Sequence, residues 1–418
     1  MTVDGSSIRP FRRFALALLA MSGTGLVAST AVADVPYVMD DAFRTSADAI
    51  AQALAAGNTG GALQGAKALA ASADQPFEKY AAGQLMLQAA SATSDLQAQR
   101  GAVNLILASG AAAPARVGEL RALAGELSAM LGNYGDAVAQ VQYANSLGYS
   151  SALSQLALAD GAFHTGNVPV GSAALEEAIK LRTQAGQPVD AGWYDRAIAM
   201  SYQAKRSDLL DLWTRRKIAA YPGPENWRSG IVNLIAGAVM GPEQSLDLYR
   251  LMAVTQALAT ERDWQAYSAL AAQQGAFAEA KAVLDTAVKS GAVNGSDVAV
   301  KKSLAALTPK ARQALADIKA PSAKAKAASD GRLTLALADS QFAAANYPDA
   351  VQSYRTALQK GVVDPARANT RLGIALARSG DLAGGKAALA QVASGPWAPV
   401  AGLWTVWIDR KMAPSPAV

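Results

Sequence analysis

The chain has 418 residues, 51% of them apolar, 17% charged and only 6% aromatic, with a formal net charge of +5. It is too apolar for a disordered chain and long enough to bury a substantial core. With no cysteine and one histidine, His164, a disulfide framework, a thiolate site and a histidine-rich metal cluster are excluded, and the abundance of alanine favours close-packed helices over sheets.

Residues 1–33 read as an export leader. Arg9, Arg12 and Arg13 form a basic start, an apolar stretch runs from Phe14 to Val27, and Ala31-Val32-Ala33 gives a small-x-small cleavage pattern. The apolar part is too short to span a bilayer, so a Sec-type signal peptide cut after Ala33 is expected, placing the protein in the periplasm or outside the cell. Its removal takes away three arginines and Asp4, lowering the net charge from +5 to +3. That near-neutral balance gives no basis for nucleic-acid binding. No later segment is long and apolar enough to be an integral membrane span.

Beyond the leader the chain reads as consecutive pairs of helices. The pattern predicts pairs over 42–72, 77–110, 118–150, 152–185, 191–221, 227–259, 264–291, 330–361 and 366–394. Asp40 and Asp41 precede the first as an N-cap and a dipole partner rather than a metal-binding pair. Residues 34–291 thus form an N-terminal repeat block. The lysine- and alanine-rich stretch 292–329 is expected to be an irregular insert or joint, with Pro309 and Pro321 interrupting two short helices. Residues 330–410 form a C-terminal block ending in a helix near 398–409 that carries Trp404 and Trp407 and caps the open end, and 411–418 is expected to be a disordered tail.

Self-similarity orders these pairs. Gly132 opens Gly-Asn-Tyr-Gly-Asp-Ala, and Gly166, 34 residues later, opens Gly-Asn-Val-Pro-Val-Gly. Ala144 and Ala178, and then Trp193 and Trp227, keep the same spacing. A second-helix pattern of small, large and small residues recurs as Ala137-Val141-Ala144, Ala280-Leu284-Ala287 and Ala350-Tyr354-Ala357. Each copy has a turn residue before it: Gly132, Gly275 and Ala345. Small residues seven apart lie on one helix face and admit a closely crossing partner, while the larger residue between them fills the gap.

On these residues the chain resembles the tetratricopeptide repeat (TPR) family, in its exported bacterial form. Leu372-Gly373 with Leu376 matches the first-helix pattern, Gly125 fills its glycine position, and Trp193, Trp227 and Trp264 stand at its early tryptophan. The resemblance implies an all-α fold, a right-handed superhelical solenoid of antiparallel helix pairs whose first helices line a concave groove. It also implies protein or peptide binding rather than catalysis.

The motifs that could carry chemistry have plainer readings. Gly380-Asp-Leu-Ala-Gly-Gly385-Lys386-Ala387 imitates a phosphate-binding loop but has Ala387 where a magnesium-binding hydroxyl is required, and it coincides with a repeat turn. Gly23-Thr-Gly25 falls in the leader. His164 cannot build a triad without a nucleophile in a cleft, and Asn294-Gly-Ser296 is a glycosylation sequon only in a eukaryotic secretory path. No motif calls for a cofactor or a metal.

By repeat register Tyr194 and Tyr202 face the groove, as do Phe163, His164 and Ile235 in neighbouring repeats. Together they are expected to form an aromatic and apolar strip for a partner. The lysines, arginine and asparagines with which some TPR proteins clamp a C-terminal carboxylate are missing from the matching positions. The leading expectation is a non-catalytic protein- or peptide-binding scaffold of the bacterial envelope. A structural adaptor of an envelope assembly or polysaccharide-export machine, and a hydrolase whose site leaves no motif, are the alternatives.

Overall fold

The computed structural model describes residues 40–237, 240–319 and 328–413, which contain helices and no strands. The expected leader with its cleavage site, and the tail from residue 414, lie outside the described residues. Two compact units divide after Val189.

The first unit contains four helix pairs: α1 (Asp41–Ala55) with α2 (Thr59–Ser72), α3 (Pro76–Ala92) with α4 (Leu96–Ala108), α5 (Pro114–Met130) with α6 (Tyr134–Ser146), and α7 (Ala152–His164) with α8 (Val168–Gln184). Each expected pair in this unit is present, with bounds shifted by a few residues.

The turn inside a pair is a two-residue device. Gly57, Ser94, Gly132 and Gly166 take φ of 75°, 57°, 79° and 81°, the left-handed conformation that ends a helix. The next residue starts the partner helix. Asn58, Asp95 and Asn167 accept the amides of Gly61, Ala98 and Val170 at 3.1, 2.9 and 3.3 Å. The Gly-Asn dipeptides in the sequence are this device. At the head of the chain Asp40 accepts the Ala42 amide at 3.4 Å, the capping role expected of it.

Small residues bring the helices of a pair together. Ala137, Val141 and Ala144 of α6 are fully buried, and a Cβ added to Gly125 of α5 would collide with the Val141 side chain. Burying a side chain such as Val141 is worth about 1.5–3 kcal/mol. Consecutive pairs stack on one another, α6 against α7 and first helix α5 against first helix α7.

The second unit begins the same way, with α9 (Ala191–Gln203) and α10 (Ser207–Ala220), α11 (Pro224–Gly237) and α12 (Pro242–Val254), and α13 (Glu261–Gln273) and α14 (Phe277–Lys289). Ala280, Leu284 and Ala287 are buried as the pattern requires, and so are Trp193 and Trp227. Trp264 is only partly buried, against Leu284 and Val300.

The stretch expected to be broken by Pro309 is instead one helix, α15 (Val298–Lys319), with Pro309 inside it. Val293 and Val300 are buried against Leu284 and Ala287 of α14. That packing holds the helix through a proline that lacks an amide to donate. Pro321 lies outside the described residues.

Two pairs follow, α16 (Arg332–Ala343) with α17 (Tyr347–Lys360) and α18 (Pro365–Arg378) with α19 (Leu382–Leu389), and then a last helix, α20 (Ala398–Met412). Ala350, Tyr354 and Ala357 are fully buried. At the α18–α19 crossing, Cβ atoms added to Gly373 and Gly385 would stand 2.9 and 2.8 Å from each other's carbonyl oxygens. Only glycine permits that approach.

The last helix covers α19, as a cap would, but it also turns back to pack on α10 and α12. Trp404 is 1% exposed and donates its indole N–H to the Asp247 carbonyl at 3.1 Å, across 157 residues of sequence. The helix also runs through Met412, beyond the point where the tail was expected to begin.

Candidate functional site

Two rings of the expected aromatic strip do not reach the surface. Phe163 is 1% exposed, and its ring fills the space over Gly171 of α8, where an added Cβ would lie 2.5 Å from the ring. Tyr194 is 6% exposed; its ring meets Trp213 and Tyr221 edge-on at 6.2 and 6.1 Å. Both rings are therefore core, a correction with a simple cause. Alanine-rich helices leave space between them, and the few aromatics are drawn in to fill it.

His164 is exposed, stacked on Tyr134 with ring centroids 3.7 Å apart, and its Nδ1 lies 3.0 Å from the Asp160 carbonyl. Tyr202 is 46% exposed but leans on Gly237 of α11. Ile235 is half-buried.

A different surface stands out in the first unit. Glu126 on first helix α5 is half-buried, and its one hydrogen bond among the described residues comes from the Ser151 hydroxyl at 3.5 Å. Burial raises its pKa to about 7, against the small opposing effect of that hydroxyl. Ser151 is the N-cap of α7 and accepts the Ser154 amide at 3.0 Å. Exposed apolar side chains flank this contact: Met130, one turn after Glu126, is 45% exposed, and Leu153, in the first turn of α7, is 37% exposed. A carboxylate with so little compensation between two exposed apolar groups can receive a hydrogen-bond donor together with an apolar side chain.

In the second unit one first helix, α18, is covered by its own chain, although Tyr202 of α9 and Leu333 of α16 stay exposed. Nine residues of α18 are buried, Arg371 among them, so that helix is enclosed on all sides. Arg371 reaches Asp247 of α12 at 3.2 Å and Asp339 of α16 at 2.8 Å. Arg250 pairs with Asp247 and, at 2.7 Å, with Glu279, which also accepts from the Tyr267 hydroxyl at 2.7 Å. Tyr354 donates to Asp339 at 2.7 Å, and Arg367 pairs with Asp339 and Glu243.

Burial alone would depress the Arg371 guanidinium, but Asp247 and Asp339 outweigh it and hold the group above its ordinary value. Burial first, and then the neighbouring carboxylates, push the Tyr267 and Tyr354 phenols well up. The network is a tie between segments, not a catalytic constellation, because its donors and acceptors face one another. Sequence reasoning did not find it. A charged Asp-x-x-Arg step at Asp247 and Arg250, among the leucines of α12, was the one local sign.

The Gly380–Ala387 segment is a repeat turn. Gly380 takes φ of 101°, and Asp381 accepts the Gly384 amide at 2.8 Å, so a carboxylate already occupies the helix start where a phosphate would bind. Among the described residues no three His, Cys, Asp or Glu side chains are grouped to hold a metal ion. No helix among them is long and apolar enough to cross a membrane.

The pairs, their left-handed turns and their small-residue crossings settle the architecture. The fold is a TPR-like array of helix pairs. No protein-family model and no curated protein sequence matches the chain. Solved structures similar to it include the crystal structure of yeast Tom70, at 9% identity over 88% of this chain and 89% of that one, with a TM-score of 0.23. The TPR domain of P58(IPK) is similar at 11% identity over 89% of each chain, with a TM-score of 0.24. Naa15/Naa10 bound to HypK-THB is similar at 15% identity and a TM-score of 0.28. There the likeness covers 84% of this chain, which spans 58% of the length of its counterpart.

Proposed function

We propose that this chain is a non-catalytic scaffold of the bacterial envelope, exported by its leader, that holds a protein or peptide partner against the first helices of the first unit. The observation that carries this reading is the Glu126–Ser151 contact with Met130 and Leu153 exposed beside it. Exposed apolar groups around a poorly compensated carboxylate suit a partner segment that brings an apolar anchor next to a lysine, arginine or amide donor. The second unit, in which α18 is enclosed, acts as a support.

The test is crosslinking pull-down from the cell's own envelope fraction with the wild type, Met130→Lys, Leu153→Lys and, as a remote control, Val363→Lys, which alters a residue 92% exposed in the second unit. A partner captured by the wild type and the control but lost from both first-unit variants supports the reading. Equal capture by all four would move the binding surface elsewhere. N-terminal sequencing of the same material should begin at Asp34, and a start at Met1 in that fraction would overturn the export proposal.

A further inference from the structure

Inside the second unit α12, α13, α14, α16, α17, α18 and α20 leave a cavity of about 170 Å³. Its walls are apolar or aromatic, formed by Val254, Tyr267, Phe342, Ile374 and Trp404. It reaches solvent past the exposed members of that lining, Ala282, Ala345 and Arg378. A chamber of roughly 150 Å³ holds one benzene-sized group, so this one takes a single small body and not a stretch of chain.

Its polar groups are unequal. Arg250 and Glu279 satisfy each other, and the Tyr267 hydroxyl is spent on Glu279. They present neutralised faces. Arg378, by contrast, pairs with no carboxylate among the described residues; its guanidinium lies 5.2 Å from the centre of the Tyr347 ring. The Tyr347 hydroxyl has no hydrogen-bond partner among them either, and burial pushes its pKa up, with Arg378 acting against that. Ala345 brings a third observation. It sits at φ 58°, in the turn position that Gly57, Gly132, Gly166, Gly275 and Gly380 fill in five other pairs and Ser94 and Lys205 in two more. Here a methyl group lines the cavity mouth at the expense of backbone strain.

We propose that this cavity is a binding site for a small monocarboxylic acid with a compact apolar or aromatic body. The body fills the chamber, and the carboxylate at the mouth takes the Arg378 guanidinium and the Tyr347 hydroxyl. A neutral amide of the same shape would offer a carbonyl acceptor without the charge that pairs with Arg378, and a cation would meet Arg378 head-on. The proposal is independent of the first-unit surface, because every residue it uses belongs to the second unit.

The experiment titrates the full chain with benzoate, and in parallel with benzamide and benzylammonium, by calorimetry and by methyl NMR of Val254, Val283 and Ile374. Benzoate should bind with a Kd near or below ~1 mM, a reasonable ceiling for nine heavy atoms, and shift those methyl signals. Benzamide and benzylammonium should bind at least ~10-fold more weakly. Arg378→Gln, a change at an exposed side chain, should melt like the wild type and bring benzoate down to the benzamide level. Ala343→Leu, which fills the chamber, should abolish binding. No methyl shift at ~10 mM benzoate, unchanged affinity in Arg378→Gln, or equal binding of benzylammonium would each overturn the proposal.

Discussion

The two units are built from the same helix pairs but held together differently. In the first, neighbouring pairs meet through small apolar residues, and stability accumulates from one pair to the next. Ion pairs of its mid-section such as Arg100 with Asp136, at 2.7 Å, join adjacent repeats. In the second, Arg371 reaches back 124 residues to Asp247, and the Arg410 side chain lies 3.5 Å from the Ala219 carbonyl across 191. The first unit leaves Met130 and Leu153 exposed beside Glu126, while the second encloses its helix α18. A repeat architecture thus becomes a closed body when a few distant charges and one returning helix fasten its ends.

The largest expected effect breaks that fastening. Arg371→Leu leaves Asp247, which is fully buried, without one of its two arginines. Breaking a buried pair from one side costs about 3–5 kcal/mol. Thermal or denaturant unfolding should show the transition of the second unit moving down while that of the first stays in place. A single transition shifting as a whole would mean that the units do not unfold separately.

A smaller effect sharpens the contrast from the other side. Gly125→Ala forces a methyl group into Val141 and the close α5–α6 crossing of the first unit. Overpacking of this kind costs about 1–3 kcal/mol, and here only the first transition should fall.

The third prediction concerns pH. Glu126 holds its proton up to about 7 in the folded unit, whereas its ordinary value is 4.5. The folded state therefore binds more protons than the unfolded chain between those values, and the stability of the first unit should decline as pH rises through that window. Glu126→Gln should remove this component of the decline and make the first unit more stable than the wild type at pH ~8. An identical pH profile for the two proteins would show that the carboxylate is better compensated than its single hydroxyl partner implies.

The smallest effect is local. Ala345→Gly relieves a left-handed alanine and should stabilise the second unit by about 1 kcal/mol, while Gly132→Ala in the first should cost a similar amount. Melting curves of the two variants should move in opposite directions, each in its own unit.

These contrasts also show what could be read in advance. The pairs could be placed, the first two without a settled register, because their turns and crossings are local devices: a left-handed residue in eight of the turns, and small residues seven apart at several crossings. Ala345 was identified as a turn residue even without glycine, since the spacing to Ala350 places it there. The fastening of the second unit was not legible. Asp247, Asp339 and Arg371 lie in three different repeats, and nothing in the neighbourhood of one announces the others. The two misplaced rings have another origin. Register put Phe163 and Tyr194 on the groove face of an ideal repeat, but Gly171 opens a space for one ring, and Trp213 and Tyr221 gather the other. Glu126 was passed over because a carboxylate in a helical repeat reads as a solvated charge until its burial is known.

The return of α20 onto α10 and α12 bears on how the chain acquires its structure as it is made. Each pair of the first unit finds its partners within a few dozen residues, so it can assemble in order as the chain emerges, with low contact order and little delay. The second unit cannot. Asp247 and the surfaces of α10 and α12 must wait until Trp404 and its helix have been delivered, some 157 residues later, and in that interval their apolar and charged groups stand uncovered. For this stretch of its life the second half of the molecule is the part most exposed to wrong pairing and most dependent on a holding factor, and the half whose final state is decided by the last helix to arrive.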